Sequence, residues 1–268
     1  CGTIYQSRTG EPPIEYTREY FFEFYKKQYG RTYIEDFPNL ISMAEKRLAR
    51  ILPLLPRSPE KGEAGSPKLL DIGCAYGAFL QTASRAGFDV LGLDPAEDAV
   101  RYVRDELALQ ALQGFFPPEK ALQSPPGPFT GASFSAITLW YVIEHFPDPA
   151  AALEEGWRLL MEGGVLAFST PSFSGISGRS SPRTFLEKSP GDHWTIWSPR
   201  TCRRVLKDHG FRVKRIVVTG HHPERFPLPG SFRGNKKGPV YRFLLLLSRI
   251  FGLGDTFEVY AVKESRKK

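Results

Sequence analysis

Hydrophobic positions change their period along the chain. Over residues 15–29, Tyr16, Tyr20, Phe21, Phe24 and Tyr25 recur at helical spacing, and over 36–55 Leu40, Met43, Ala44, Leu48 and Ile51 do the same. The spacing predicts two amphipathic helices. Pro53, Pro56, Pro59 and a Gly/Ser/Glu-rich run to Pro67 then break the rhythm and place a linker at 57–67. Beyond it, short apolar runs at 68–72, 90–93, 135–140 and 165–169 read as buried strands, with helices at 78–86, 97–109 and 149–161 between them. Such alternation predicts a largely parallel sheet with helices on both faces. A helix at 199–209, capped by Ser198 with Pro199 in its first turn, leads to closing strands at 211–218 and 256–262. The segment between those strands, 220–254, is too long for a hairpin turn and carries its own helix at 240–251. The expected organisation is an N-terminal helical lid or extension with linker (1–66), then an α/β domain (67–268) interrupted by an insertion at 220–254.

Composition adds exclusions. With 41% hydrophobic and 24% charged residues in 268, the chain has the make-up of a folded domain and not of a disordered one. The apolar run 243–247 is five residues long, far below the roughly 18–20 needed to cross a bilayer. Cys1, Cys74 and Cys202 are odd in number and scattered, which does not suggest a disulfide framework or metal knuckle and makes a reducing, cytoplasmic setting the default. The opening Cys1-Gly2 reads as a truncated start in preference to a lipoprotein-type terminus. The net charge of +7 is uneven: 198–268 hold 17 basic and 5 acidic residues, whereas the preceding part holds 19 and 24.

The candidate chemistry begins at Leu69-Leu70-Asp71-Ile72-Gly73-Cys74-Ala75-Tyr76-Gly77, a turn between a predicted strand and a predicted helix. Gly73 and Gly77 let the backbone turn sharply and approach a ligand closely. The run lacks the middle glycine of G-x-G-x-x-G, which a pyrophosphate requires, so a ligand without one is expected. Asp94 ends the next strand, 21 positions after Gly73, where a carboxylate can accept hydrogen bonds from both ribose hydroxyls.

Together with Val90-Leu91-Gly92-Leu93-Asp94-Pro95, Val142-Ile143-Glu144-His145-Phe146-Pro147-Asp148-Pro149, Leu159-Leu160-Met161-Glu162-Gly163-Gly164-Val165-Leu166 and His193-Trp194-Thr195-Ile196-Trp197-Ser198-Pro199, this turn resembles the class I S-adenosylmethionine-dependent methyltransferases. Within that family it is similar to the subgroup that includes ubiquinone-biosynthesis O-methyltransferases. The resemblance implies a Rossmann-like, seven-stranded, mostly parallel sheet with one antiparallel strand near its edge. It implies S-adenosylmethionine as cofactor and S-adenosylhomocysteine as product. Asp71 would orient the turn and the methionine amino group, and Gly73, Cys74, Ala75, Tyr76 and Gly77 would line the methionine part. Asp94 would hold the ribose, and adenine would be packed by an apolar residue after it, such as Pro95, and by residues after the third strand, with Gln113, Gly114, Phe115 and Phe116 as candidates. At that place, and at Phe134-Ser135, the sequence departs from the usual acidic pattern.

Trp140 and Tyr141 end the fourth strand and should face donor and acceptor, followed by Glu144 and His145. His145 suits a general base because an imidazole titrates near neutral pH. A Glu-His pair bracing a helix start is the competing reading. RNA 2′-O-methyltransferases with a Glu-x-x-Glu-His pattern bind a divalent metal here. This chain has Tyr141 in the first place, so no metal is expected unless His193, His221 or His222 supplies a further donor. His193 is otherwise expected to orient a loop over the acceptor. Tyr29 and Tyr33 belong either to a core-facing aromatic stripe or to a lid reaching the donor carboxylate.

Three functions compete at this level. The leading one is methyl transfer to oxygen, nitrogen or carbon of a small molecule. The others are an RNA methyltransferase using the basic C-terminal residues, which is disfavoured for lack of an aromatic RNA module, and a noncatalytic binding scaffold. The position of the basic excess favours an anionic or lipid-like acceptor, or peripheral membrane contact through 241–251 with Arg242 and Arg249, against a merely solvated basic face.

Overall fold

A computed structural model of the chain describes residues 2–5, 22–23, 25–56, 65–119, 127–227 and 238–265. In chain order the elements are β1 (Ile4–Tyr5), α1 (Tyr25–Tyr29), α2 (Phe37–Ile51), β2 (Lys68–Ile72), α3 (Ala78–Arg85), β3 (Asp89–Asp94), α4 (Glu97–Asp105), β4 (Gln110–Gln113) and β5 (Phe134–Trp140). They continue as α5 (Pro149–Leu159), β6 (Leu160–Pro171), α6 (Ile176–Ser180), α7 (Pro182–Glu187), β7 (Thr195–Ile196), α8 (Pro199–Asp208), β8 (Phe211–Thr219), α9 (Pro239–Ile250) and β9 (Thr256–Lys263).

Seven strands form one sheet in the order β4-β3-β2-β5-β6-β9-β8. β9 runs antiparallel to both neighbours, and the remaining pairs are parallel. The sequence predicts this Rossmann-like arrangement because the central strands are apolar on both faces. Leu70, Ile72, Ile137 and Leu139 enter one core with Phe168, Trp197 and Leu206. Leu69 and Ala136 point the other way, into a second core with Leu80, Val90 and Tyr260. Chain order reverses between β2 and β5, and the carboxyl ends of those strands form the crevice where such sheets place a ligand.

Several boundaries differ from the sequence reading. The helix expected to reach 109 ends at Asp105, and Ala108 turns left-handed at φ 53° before β4. The helix expected to reach 161 stops at Leu159 because Leu160 already pairs with Phe134 in the sheet. Ser198 caps α8 as predicted, its hydroxyl accepting the Thr201 amide at 3.2 Å. The small β1–β7 sheet and the short helices α6 and α7 were not anticipated.

The N-terminal extension is continuous with the domain in packing: Ala44, Leu48 and Ile51 of α2 lie in the same core as Leu69 and Leu80. Tyr16, Tyr20, Phe21, Phe24, most of the linker and the insertion residues Lys236 and Lys237 lie outside the described residues, as does the Tyr29 side chain.

Candidate active site

The glycine turn joins β2 to α3 through three left-handed residues, Gly73, Ala75 and Gly77, at φ 69°, 47° and 77°. Packing adds to what φ demands. A Cβ on Gly73 would stand 2.4 Å from Val142, and one on Gly77 would stand 2.9 Å from Leu107 and Val103. Ala75 carries the strain of a left-handed non-glycine residue, and its amide is held by Asp94 Oδ2 at 2.8 Å. The other Asp94 oxygen accepts the Ala96 amide at 2.9 Å. Asp94 thus fastens both the turn and the start of α4, while a second lone pair on each oxygen remains for a ligand hydroxyl. Burial raises its pKa to about 6, with the two amides pulling the other way.

Asp71, two residues before Gly73, is buried at the carboxyl end of β2 and accepts the Thr138 hydroxyl of β5 at 2.6 Å. Burial pushes its pKa to about 7, against the pull of Thr138 and of Arg47. Tyr76 and Tyr33 cover this turn, their ring centres 5.7 Å apart, and Tyr25 and Tyr102 extend the cluster. Burial, then the neighbouring Tyr25, Asp71 and Asp94, holds the Tyr33 phenol well above its usual range. Trp140 packs on Phe79 with ring centres 5.1 Å apart, and the Arg47 guanidinium lies 4.3 Å from the Trp140 ring centre. Arg47 also donates from Nε to Glu258 at 3.0 Å, a carboxylate shared with Arg50 and Tyr260.

On the acceptor side, Tyr141 follows β5 at φ 60° and keeps 41% of its surface exposed. Its amide donates to Ser169 of β6, and its side chain reaches Thr256. A single turn of 3-10 helix, Ile143–His145, then carries Glu144 and His145. His145 Nδ1 stands 3.0 Å from Asp192 Oδ2, and the His193 ring meets the His145 ring edge-on, with centres 4.8 Å apart. Burial disfavours a charged His145, but the Asp192 hydrogen bond and the Glu144 and Asp192 charges outweigh it and raise its pKa. Burial and the His145 charge lower His193 to about 4, so it is neutral at pH 7. Glu144 is raised by burial to about 7, against the pull of His145 and of the Thr170 hydroxyl. Donor atoms of Glu144, His145 and His193 lie within 4.8 Å of one another, the one such cluster among the described residues.

Most of the sequence-predicted residues therefore converge on the carboxyl edge of β2, β3 and β5. The exceptions are informative. The Cys74 side chain faces the core toward Gly92, so only its backbone can face a ligand. Phe115 is 74% exposed, whereas Phe116 is buried against Phe146. Pro95 contributes a carbonyl, which accepts from Gln113. His221 bonds Ser248 and His222 bonds Glu224, and neither joins the Glu144 cluster. Arg47, Thr138 and Asp192 were missed. Asp192 adjoins His193 in sequence, a signal that could have found it; Arg47 lies 26 positions before the turn and carries none.

Two buried carboxylates, Asp71 and Asp94, both shifted upward by burial, suit a ligand bearing positive charge, and the left-handed turn beside them suits one that needs close backbone approach. A sulfonium with an ammonium group meets both conditions. The sequence matches the family described as "Methyltransferase domain" over residues 40–216, and the chain belongs to that family. It is 27% identical over 177 residues to the ubiquinone biosynthesis O-methyltransferase of Psychrobacter arcticus, covering 62% of this chain and 67% of the relative. The fold is that of an S-adenosylmethionine-dependent methyltransferase from Archaeoglobus fulgidus, with a TM-score of 0.58 and 19% identity over 90% of this chain and 98% of the other. Geranyl diphosphate C-methyltransferase from Streptomyces coelicolor aligns with a TM-score of 0.55 and 17% identity over 83% and 77%. This protein is an S-adenosylmethionine-dependent methyltransferase of class I.

Proposed function

We propose that the enzyme methylates a hydroxyl of a small-molecule acceptor, with His145 as general base and Asp192 as the residue that orients it. The observation that carries this reading is the 3.0 Å contact between His145 Nδ1 and the buried Asp192 carboxylate. That contact keeps the Nδ1 proton in place and leaves Nε2 to accept one from the acceptor. Bound S-adenosylmethionine supplies an electrophilic methyl group on a sulfonium. Asp71 holds the donor's ammonium, the Gly73–Gly77 backbone its methionine part and Asp94 its ribose. Trp140 and Tyr141 form the wall between donor and acceptor, and Tyr33 with Tyr76 excludes water from the donor side. The acceptor's O–H proton passes to His145 Nε2 as the oxygen takes the methyl group. The name of the Psychrobacter relative, an O-methyltransferase, supports oxygen as the acceptor atom. His145 is assigned as a base and not as a metal ligand because Tyr141, and not an acid, stands at the first place of the Glu-x-x-Glu-His pattern. A cytoplasmic setting belongs to the same proposal, supported by Cys74 and Cys202 as buried free thiols.

The test is a screen of phenols, alcohols, phosphorylated alcohols, amines and carbon acids, read by release of S-adenosylhomocysteine. Wild type should turn over with a hydroxyl acceptor. His145→Ala should lose about a hundredfold or more in kcat, as general-base removal does, while binding S-adenosylhomocysteine normally. Turnover with amine or carbon acceptors alone, or an undiminished His145→Ala, overturns the assignment.

A further inference from the structure

Of the ten exposed large apolar side chains among the described residues, five lie on α9 and the residue after it. Val240, Phe243, Leu246 and Ile250 follow one another at intervals of three, three and four, which makes them one stripe, and Phe251 extends it. All five are 48–66% exposed. This stripe is not the face that fastens the helix. Leu244 and Ser248 are the buried positions, the Ser248 hydroxyl lies 2.7 Å from His221 Nδ1, and its carbonyl accepts the Leu253 amide at 2.8 Å. Arg242 and Arg249 stand exposed, two turns apart on one flank, and the helix contains no acidic residue.

The helix is tied to the acceptor rim. In its C-terminal connection, Leu253 O accepts the Ile176 amide at 2.9 Å and Asp255 O accepts the Ser172 amide at 2.7 Å. Asp255 is held in turn by Ser177 and Arg225. Thr256, the first residue of β9, pairs with Pro171 and Thr219 at the carboxyl ends of β6 and β8, and Tyr141 reaches it.

We infer that α9 is an interfacial anchor that seats the acceptor side of the enzyme on an anionic bilayer. The apolar stripe enters the headgroup boundary while Arg242 and Arg249 meet lipid phosphates. Charge selects this occupant: a helix with two arginines and no carboxylate, in a part of the chain with 17 basic and 5 acidic residues, complements a negative surface. A stripe of this kind on a monomer's surface marks an interaction face. The docking claim does not depend on the His145 assignment.

The test is co-sedimentation of the full chain with phosphatidylcholine vesicles, with and without phosphatidylglycerol. Wild type should bind the phosphatidylglycerol vesicles and be partly released by salt. Phe243→Ser combined with Ile250→Ser should weaken partitioning by about tenfold or more, since each side chain loses its apolar burial. Arg242→Gln with Arg249→Gln should remove roughly tenfold of the preference for anionic vesicles. Heat of S-adenosylhomocysteine binding serves as the folding control for every variant. Absence of vesicle binding by a wild type that binds S-adenosylhomocysteine overturns the proposal. So does a micromolar dimer, seen by analytical ultracentrifugation, that the serine variant dissociates while vesicle binding is absent.

Discussion

Asp94 Oδ2 accepts the amide of Ala75 at 2.8 Å, joining the acidic end of β3 to the one non-glycine residue of the turn that is left-handed. A residue read in sequence as a ribose ligand is therefore also the clamp that keeps a strained turn in shape. Asp94→Ala should cost about 1–2 kcal/mol of stability by orphaning two buried amides, and weaken S-adenosylhomocysteine binding by at least about tenfold through the lost charge-assisted bond. Adding Ala75→Gly should recover part of the stability, because glycine adopts φ 47° without strain, and none of the affinity. Urea melts and calorimetry on the single and double variants check this. Unchanged affinity in Asp94→Ala would exclude a ribose contact.

Arg47 connects the N-terminal helix to the site. It stacks on Trp140 and pairs with Glu258, both of them inside the sheet domain. Arg47→Ala should destabilise the chain by about 2–3 kcal/mol, the lower end for breaking a buried pair, because Arg50 remains on Glu258. Lysine should not rescue it, since an ammonium lacks the planar stacking surface. Arg47 also lowers the Asp71 pKa, so its removal leaves Asp71 more protonated. The loss of S-adenosylhomocysteine affinity should then be larger at pH 6.5 than at pH 8.5, a ratio that calorimetry at the two values measures directly.

Asp71 should make the unliganded enzyme less stable as pH rises. Its folded pKa of about 7 lies above the ordinary 3.8, so between these values the folded state binds more protons than the unfolded one. The stability slope is then negative, and the stabilising protonation is lost as pH passes about 7. Asp94, raised to about 6, acts in the same sense. Asp71→Asn should flatten the slope and raise the unliganded Tm above pH 7 by about 2–4 °C per kcal/mol recovered, while weakening donor binding. A melting series from pH 5 to pH 8 that shows no difference between wild type and Asp71→Asn would remove the electrostatic argument for a cationic ligand.

The sheet and the donor turn were legible because their signals are local. Apolar runs mark strands buried on both faces, and Gly73, Gly77 and Asp94 sit at spacings dictated by one βαβ unit. Contacts made by distant segments were not legible. Arg47 meets Glu258 from 211 positions away, and Ile4 of β1 pairs with the distant Ile196 of β7. The sharp turn read from Gly73 and Gly77 is present, at φ 69° and 77°, but the space beside them is filled by Val142, Leu107 and Val103, a packing demand that the local sequence does not carry. His145 and His193 were named separately; their meeting depends on the loop after β6 folding back, which no period in the sequence announces.

The pH dependence of turnover, taken with its response to a chelator, tests His145 as the base. Asp192 and Glu144 raise its pKa above the ordinary 6.5, and a base works only when unprotonated. Then kcat should rise with pH through a midpoint above 6.5. Asp192→Asn removes the hydrogen-bonded charge, so the midpoint should move to lower pH while the plateau kcat falls by about tenfold or more as the ring loses its orientation. His193→Ala should move the midpoint far less, because a neutral neighbour contributes little charge. Treatment with a chelator should leave both plateau and midpoint in place. If chelation instead abolishes turnover and a divalent cation restores it, the Glu144, His145 and His193 donors hold a metal and the general-base assignment fails.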